Sequence, residues 1–126
     1  MSREGYPAAT VDEYLDAIPP AQGAALRVVR DRLLAVVPDA EQVISYQVPT
    51  IRYRGAGLVA LSVAKTHCSL HLMSPPLARA LAGVLTEGTL SGATLRFDAG
   101  SPLGVETVRL IAERRMAEVD ARLSGT

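Results

Sequence analysis

The sequence predicts an α+β fold, an antiparallel sheet of about four to five strands flanked by helices. Two observations carry this. Apolar residues recur at helical spacing toward both ends of the chain, and they alternate with polar residues through the middle. The chain has 126 residues, 48% of them hydrophobic and 21% charged, enough to bury a core without disulfides or a structural metal. No repeat, low-complexity tract or linker interrupts it, so residues 1–126 are expected to form one domain with an ordered core from about 10 to 123.

Thr10 followed by Glu13 is a capping box. Val11, Tyr14, Leu15 and Ile18 then give one apolar helix face before Pro19 and Pro20 stop it. A second helix is expected from Ala21 to Val37, with Leu26, Val29, Leu33, Val36 and Val37 in one sector and Arg27 and Asp31 opposite. Pro38 ends it. "DAEQVI" reads as a short helical turn, and Pro49 pushes Val48 of "SYQVP" toward an extended conformation. "TIRYR", "LVALSVA" and "CSLHLM" read as three hairpin-connected strands, with "GAG" and "KTH" between them. Ser74 before Pro75 starts a helix burying Leu77, Ala80, Leu81, Val84 and Leu85, and "SGATLRF" is a further strand. Ser101 and Pro102 open the last helix, whose stripe is Val105, Val108, Ala112, Met116, Val119 and Leu123.

Strand pleating divides the central segments into two faces. Ile51, Tyr53, Val59, Leu61, Val63, Cys68, Leu70, Leu72, Leu95 and Phe97 share the core face. Thr50, Arg52, Arg54, Ala60, Ser62, His67, Ser69, His71, Thr94 and Arg96 share the other, with Leu58 and Met73 as its apolar exceptions. His67 and His71 then lie about 13 Å apart, too far for one zinc ion, and Cys68 points away from both. The lone Cys68 excludes an internal disulfide and Cys-based zinc ribbons, and its expected role is that of a small buried apolar residue. The simplest hairpin registers set Arg52, Ala60 and His71 in one row, with Arg52 and His71 about 9.6 Å apart over a small residue. Thr50, Ser62 and Ser69 form the next. Short side chains among cationic ones suit a carboxylate or phosphate, which makes Arg52, His67, Ser69, His71 and Arg96 the candidate ligand-binding residues. The competing readings are a face left in water and a face covered by a helix or a second copy, a homodimer.

Thirteen basic residues balance thirteen acidic ones, so no overall field recruits nucleic acid or an anionic membrane. No apolar run approaches the roughly 20 residues that span a bilayer, and Glu4 and Pro7 interrupt where a signal peptide would be apolar; the expected location is cytoplasmic. Asp12, Glu13 and Asp16 form an acidic edge that favours the first helix's dipole and could hold a hard cation weakly. Ser45, Tyr46 and Gln47 are candidates for a polar pocket wall, Tyr46 being the half-buried packer of the three. No phosphate-binding glycine loop, nucleophile elbow or EF-hand loop is present.

Three segments, "TVDEYLDAIPP", "AEQVISYQVPTIRY" and "GATLRFDAGSPLGVETVRLIAERR", resemble the YdhG-like domain family, and "VAKTHCSLHLM" between them is similar to that family's His-containing hairpin. The resemblance spans residues 10 to about 120 and implies an α+β domain in a family without one common activity. Some members are described as frataxin-like intracellular iron chaperones, so the resemblance also implies a domain that binds ferrous iron and passes it to a partner. This sequence departs from that role in its neutral charge balance. The matching residues Tyr46, Pro49, His67 and Phe97 contain one plausible ligand, so no iron site is carried over and no resident cofactor is expected. The reading favoured here is a non-catalytic binding domain for a small anionic ligand. The alternatives are an iron-binding chaperone, an oligomerisation or partner-interaction module, and an enzyme using His67 or His71 as acid or base. For that enzyme the sequence offers no nucleophile beside a histidine, and Asp98 is the nearest orienting carboxylate.

Overall fold

The computed structural model describes residues 8–125; Glu4, Pro7 and the remaining N-terminal residues of the signal-peptide argument lie outside them. The chain runs α1 (Val11–Ala17), α2 (Pro20–Val36), β1 (Glu41–Ser45), β2 (Val48–Tyr53), β3 (Ala56–Val63), β4 (Cys68–His71), α3 (Pro75–Leu81), β5 (Thr89–Ser91), β6 (Thr94–Phe97) and α4 (Val105–Gly125). The fold is α+β. Its sheet has six strands in the order β1-β2-β3-β4-β6-β5, every neighbouring pair antiparallel.

Two strands go beyond the four segments read from the sequence: β5, because "SGATLRF" breaks at Gly92 into a hairpin with Thr89–Ser91, and β1. Residues 41–45, expected as a helical turn, pair with β2 through a two-residue connection at Tyr46 and Gln47. Both have positive φ, 51° and 69°, as the tight hairpin turn of right-twisted strands requires. Neither is the Asn or Gly that usually announces such a turn, so its sequence signal is missing. Tyr46 is 97% exposed at the hairpin tip and packs on nothing, unlike the half-buried residue expected.

The helix starts follow their caps. Thr10 Oγ1 accepts from Glu13 N at 3.1 Å, while the Glu13 carboxylate reaches back to Ala9 N at 2.8 Å. Ser74 Oγ accepts from Leu77 N at 3.2 Å. The α3 helix ends at Leu81, which leaves Val84 exposed instead of buried. The last helix starts at Val105, three residues after the expected Pro102. Its entry is capped from outside by Glu87, whose carboxylate accepts from Gly104 N at 2.9 and 3.1 Å and from the Thr107 hydroxyl.

Ile51, Val59, Leu61, Cys68, Leu70, Leu72 and Leu95 are all 0% exposed and share a core with Leu26, Leu33, Val108 and Ile111 of the helices. The helices therefore pack on the face that the alternation assigned. Burial there, with the charge of nearby Asp98, pushes the Cys68 thiol up to about 11.

One irregularity resets the register. The β2–β3 turn is Arg54–Gly55, with φ of 52° and 81°, and not the expected Gly-Ala-Gly. Ile51 pairs with Val59 but Arg52 pairs with Gly57, so Leu58 is the extra residue of a β-bulge. The bulge turns Leu58 into the core at 0% exposure, where alternation had put it on the outer face. Two carbonyls freed at the bulge, those of Leu58 and Gly57, accept from Arg115 Nε and Nη2 at 2.7 and 2.8 Å. Arg115 is itself buried, at 5% exposure, and its charge meets Glu118 at 2.8 Å.

Candidate functional site

The face away from the helices carries two long rows. Val43, Thr50, Ala60, His71, Thr94 and Ser91 line up across all six strands, and Ser62, Ser69, Arg96 and Thr89 across four. Ala60 is 6% exposed yet stands outside the helix-packed core, and Thr50 and Ser69 are similarly shielded by their neighbours in the sheet. Met73 lies at one end of this face, where a Cβ on Gly57 would meet its Cε at 3.0 Å.

The expected row of Arg52, Ala60 and His71 does not form. The early turn and the bulge put Thr50, two residues upstream, opposite Ala60. Arg52 sits near the β2–β3 turn, where Nη2 donates to the Gly55 carbonyl at 2.5 Å and Nε lies 3.5 Å from Glu41 Oε1. Its charge is committed at the sheet's edge, away from both histidines. Arg54 is likewise drawn off, to Asp120 at 2.8 Å.

His71 takes a different set of partners. Its Nε2 lies 2.7 Å from Ser62 Oγ on β3, and its Nδ1 lies 3.1 Å from Thr94 Oγ1 on β6. Burial lowers its pKa below 6.5, so the ring is held neutral between two hydroxyls. Ser69 stands opposite Ser62 on one side and Arg96 on the other.

His67 and Arg96 both line a cleft of about 470 Å³ farther along, at the end of β4, β6 and β5, with Thr66, Thr89, Asp98, Ser101 and Glu87. The position of His67 is set by α2: Gln22 Nε2 donates to the carbonyls of Ala64 and His67 at 2.9 and 3.0 Å, and Ala64 N donates to the same His67 carbonyl. Phe97, 5% exposed and paired with Cys68, anchors the end of β6 and leaves Arg96 and Asp98 on either side of it to face out. Gly88 lets β5 begin here. With φ of 74°, it passes so close to β6 that a Cβ would come within 2.7 Å of the Arg96 carbonyl. The Glu87 carboxylate is turned to the start of α4, and among the described residues Arg96 forms no ion pair.

Of the five candidates, His67 and Arg96 share the cleft, Ser69 stands opposite Ser62, the partner of His71, and Arg52 stands apart. Thr89 and Ser101 were not expected at a site, while Ser62 was placed in the row with Thr50 and Ser69, and Thr94 on the same face, without being counted among the ligand-binding residues. For Ser62 a signal existed, since pairing Ala60 with His71 already makes Ser62 the diagonal neighbour of that histidine. The acidic edge of α1 is also spoken for: Asp12 pairs with Arg30 at 3.2 Å and Asp16 with Arg27. Among the described residues, no group of three or more His, Cys, Asp or Glu could hold a metal ion, and no helix is long and apolar enough to cross a membrane.

The order of the elements and the single antiparallel sheet with helices packed on one side define a class of α+β domain. It is the YdhG-like fold. The chain is similar to the crystal structure of YdhG from Bacillus subtilis, a protein of the DUF1801 family, with a TM-score of 0.78 and 17% identity over 93% of this chain and 94% of that one. No family model matches the sequence, and no curated protein does.

Proposed function

We propose that this protein binds a small anionic molecule in the cleft at the end of β4, β6 and β5. The observation that carries the reading is the joint presence of Arg96, without an ion-pair partner among the described residues, and His67 in one cleft of about 470 Å³. A guanidinium can grip a carboxylate or phosphate through two parallel N–H donors, and Thr89 and Ser101 add hydroxyls around it. Asp98 supplies the opposite character. Its carboxylate favours a ligand that carries a hydrogen-bond donor as well as the anionic group, and disfavours a bare polyanion.

Of the two arginines expected to bind, Arg96 keeps the role in this reading; Arg52 donates to the Gly55 carbonyl and lies 3.5 Å from Glu41. Titration with inorganic phosphate, small carboxylates and amino acids, followed by thermal shift, tests the reading, since a ligand selective for the native state raises its melting temperature. Stabilisation by at least one of these is expected, lost in Arg96→Ala and kept in Arg52→Ala. An unchanged melting temperature across the whole set at millimolar concentration, or equal loss in both variants, refutes it.

A further inference from the structure

Outside the cleft, the hydroxyl, imidazole and hydroxyl of Ser62, His71 and Thr94 are linked across three adjacent strands. From this arrangement we infer that Ser62 is a nucleophile activated by His71, able to take an acyl group from a small activated ester. The inference is independent of the anion-binding reading.

A serine hydroxyl attacks a carbonyl only when a base stands ready for its proton, and the base works only in the tautomer whose accepting nitrogen faces the serine. The Ser62 Oγ to His71 Nε2 distance of 2.7 Å meets the first condition. For the second, Nδ1 stands 3.1 Å from Thr94 Oγ1; with its proton donated there, Nε2 is left as the acceptor. Thr94 is thus a positioning residue. All three side chains lie on the face that no helix of the described residues packs against, and each is partly exposed there. Ser69, directly opposite Ser62 on the next strand, is a hydroxyl donor in the same row.

The step balances within the chain and its substrate. Ser62 Oγ bonds to the ester carbonyl carbon while its proton passes to His71 Nε2. Collapse of the tetrahedral adduct breaks the bond to the leaving alcohol, which departs with that proton. Water, deprotonated by the same nitrogen, then cleaves the acyl-serine and restores Ser62, so that one ester and one water give one acid and one alcohol.

The full chain treated with a fluorophosphonate probe is expected to gain one adduct, mapped to Ser62, and to release p-nitrophenol from p-nitrophenyl acetate with an initial burst. Ser62→Ala should abolish both. His71→Gln should slow adduct formation by about a hundredfold, the usual contribution of a general base, and Thr94→Val should slow it less while shifting its pH profile. In the unmodified protein the labelling rate should rise through one ionisation below the ordinary histidine value and level off at neutral pH. This measurement decides the matter even where a variant fails to fold. No adduct at Ser62, labelling that survives His71→Gln in a folded protein, or a rate that climbs without a plateau into alkaline pH overturns the inference.

Discussion

Arg115 Nε donates to the Leu58 carbonyl at 2.7 Å, which joins the middle of the last helix to the one irregular point of the central strand. A bulge leaves main-chain acceptors without ladder partners, and a buried acceptor left unpaired costs about 1–3 kcal/mol. Arg115 removes that cost at Leu58 and Gly57 together, and Glu118 balances its charge. Glu118 in turn accepts from Ser74 Oγ at 3.0 Å, which extends the network to the start of α3. Arg115→Met is therefore expected to destabilise the fold by about 3 kcal/mol, read as a lowered urea midpoint. A loss under about 0.5 kcal/mol would show that the bulge carbonyls find water instead.

Gly88 tests the cleft's construction. Its positive φ disfavours any side chain, and the added carbon would collide with the Arg96 carbonyl and with Leu95 Cδ1 at 2.9 Å. Gly88→Ala should cost about 2–4 kcal/mol and weaken β5–β6 pairing, seen as faster amide exchange at Leu90 and Leu95. Gly55→Ala has the same sign of φ but open space around it, so it isolates the backbone penalty from the collision.

His71 gives the fold a pH dependence of known sign. Its folded pKa is depressed below 6.5 by burial, so the unfolded chain binds a proton that the folded ring resists. The stability is fully present above 6.5 and declines as the pH falls from there to the depressed value. Asp120, held low by hydrogen bonds from Arg54 and Tyr53, loses its own contribution only below the ordinary carboxylate value of 3.8. Urea unfolding of the native sequence and of His71→Gln at about pH 8 and about pH 5 should show the larger loss in the native sequence. Equal losses would remove His71 from the account.

Cys68 should be inert in the folded protein. With its thiol pushed up to about 11 and its side chain fully buried, a disulfide-exchange reagent at about pH 8 should leave it unmodified until denaturant is added. Rapid stoichiometric reaction in native buffer would contradict the core assignment.

Helix starts were legible because capping is local: Thr10 with Glu13, and Ser74 before Pro75, fix their first turns within four residues. The core face was legible too, since alternation needs no knowledge of the partner strand, and Cys68, Leu70 and Leu72 fall where it assigns them. The strand β1 was not. "DAEQVI" carries no strong strand pattern, and it is held extended by pairing with β2 around a turn that lacks the customary residues. The ligand row over Ala60 failed because the turn at Arg54–Gly55 comes early and shifts the pairing by three residues, of which the bulge restores only one.

By itself the sequence determined the fold class, the buried face of the sheet, and the face on which both histidines stand, because helix and strand periodicity is written in each segment separately. Only the tertiary structure decided which outward side chains come together: it set Arg52 beside Glu41, put Arg96 and His67 in one cleft, and placed His71 between Ser62 and Thr94. The physical reason is register. Turn geometry, a bulge and the distant Arg115 that satisfies it set the offset between strands, and no residue within a strand encodes that offset alone.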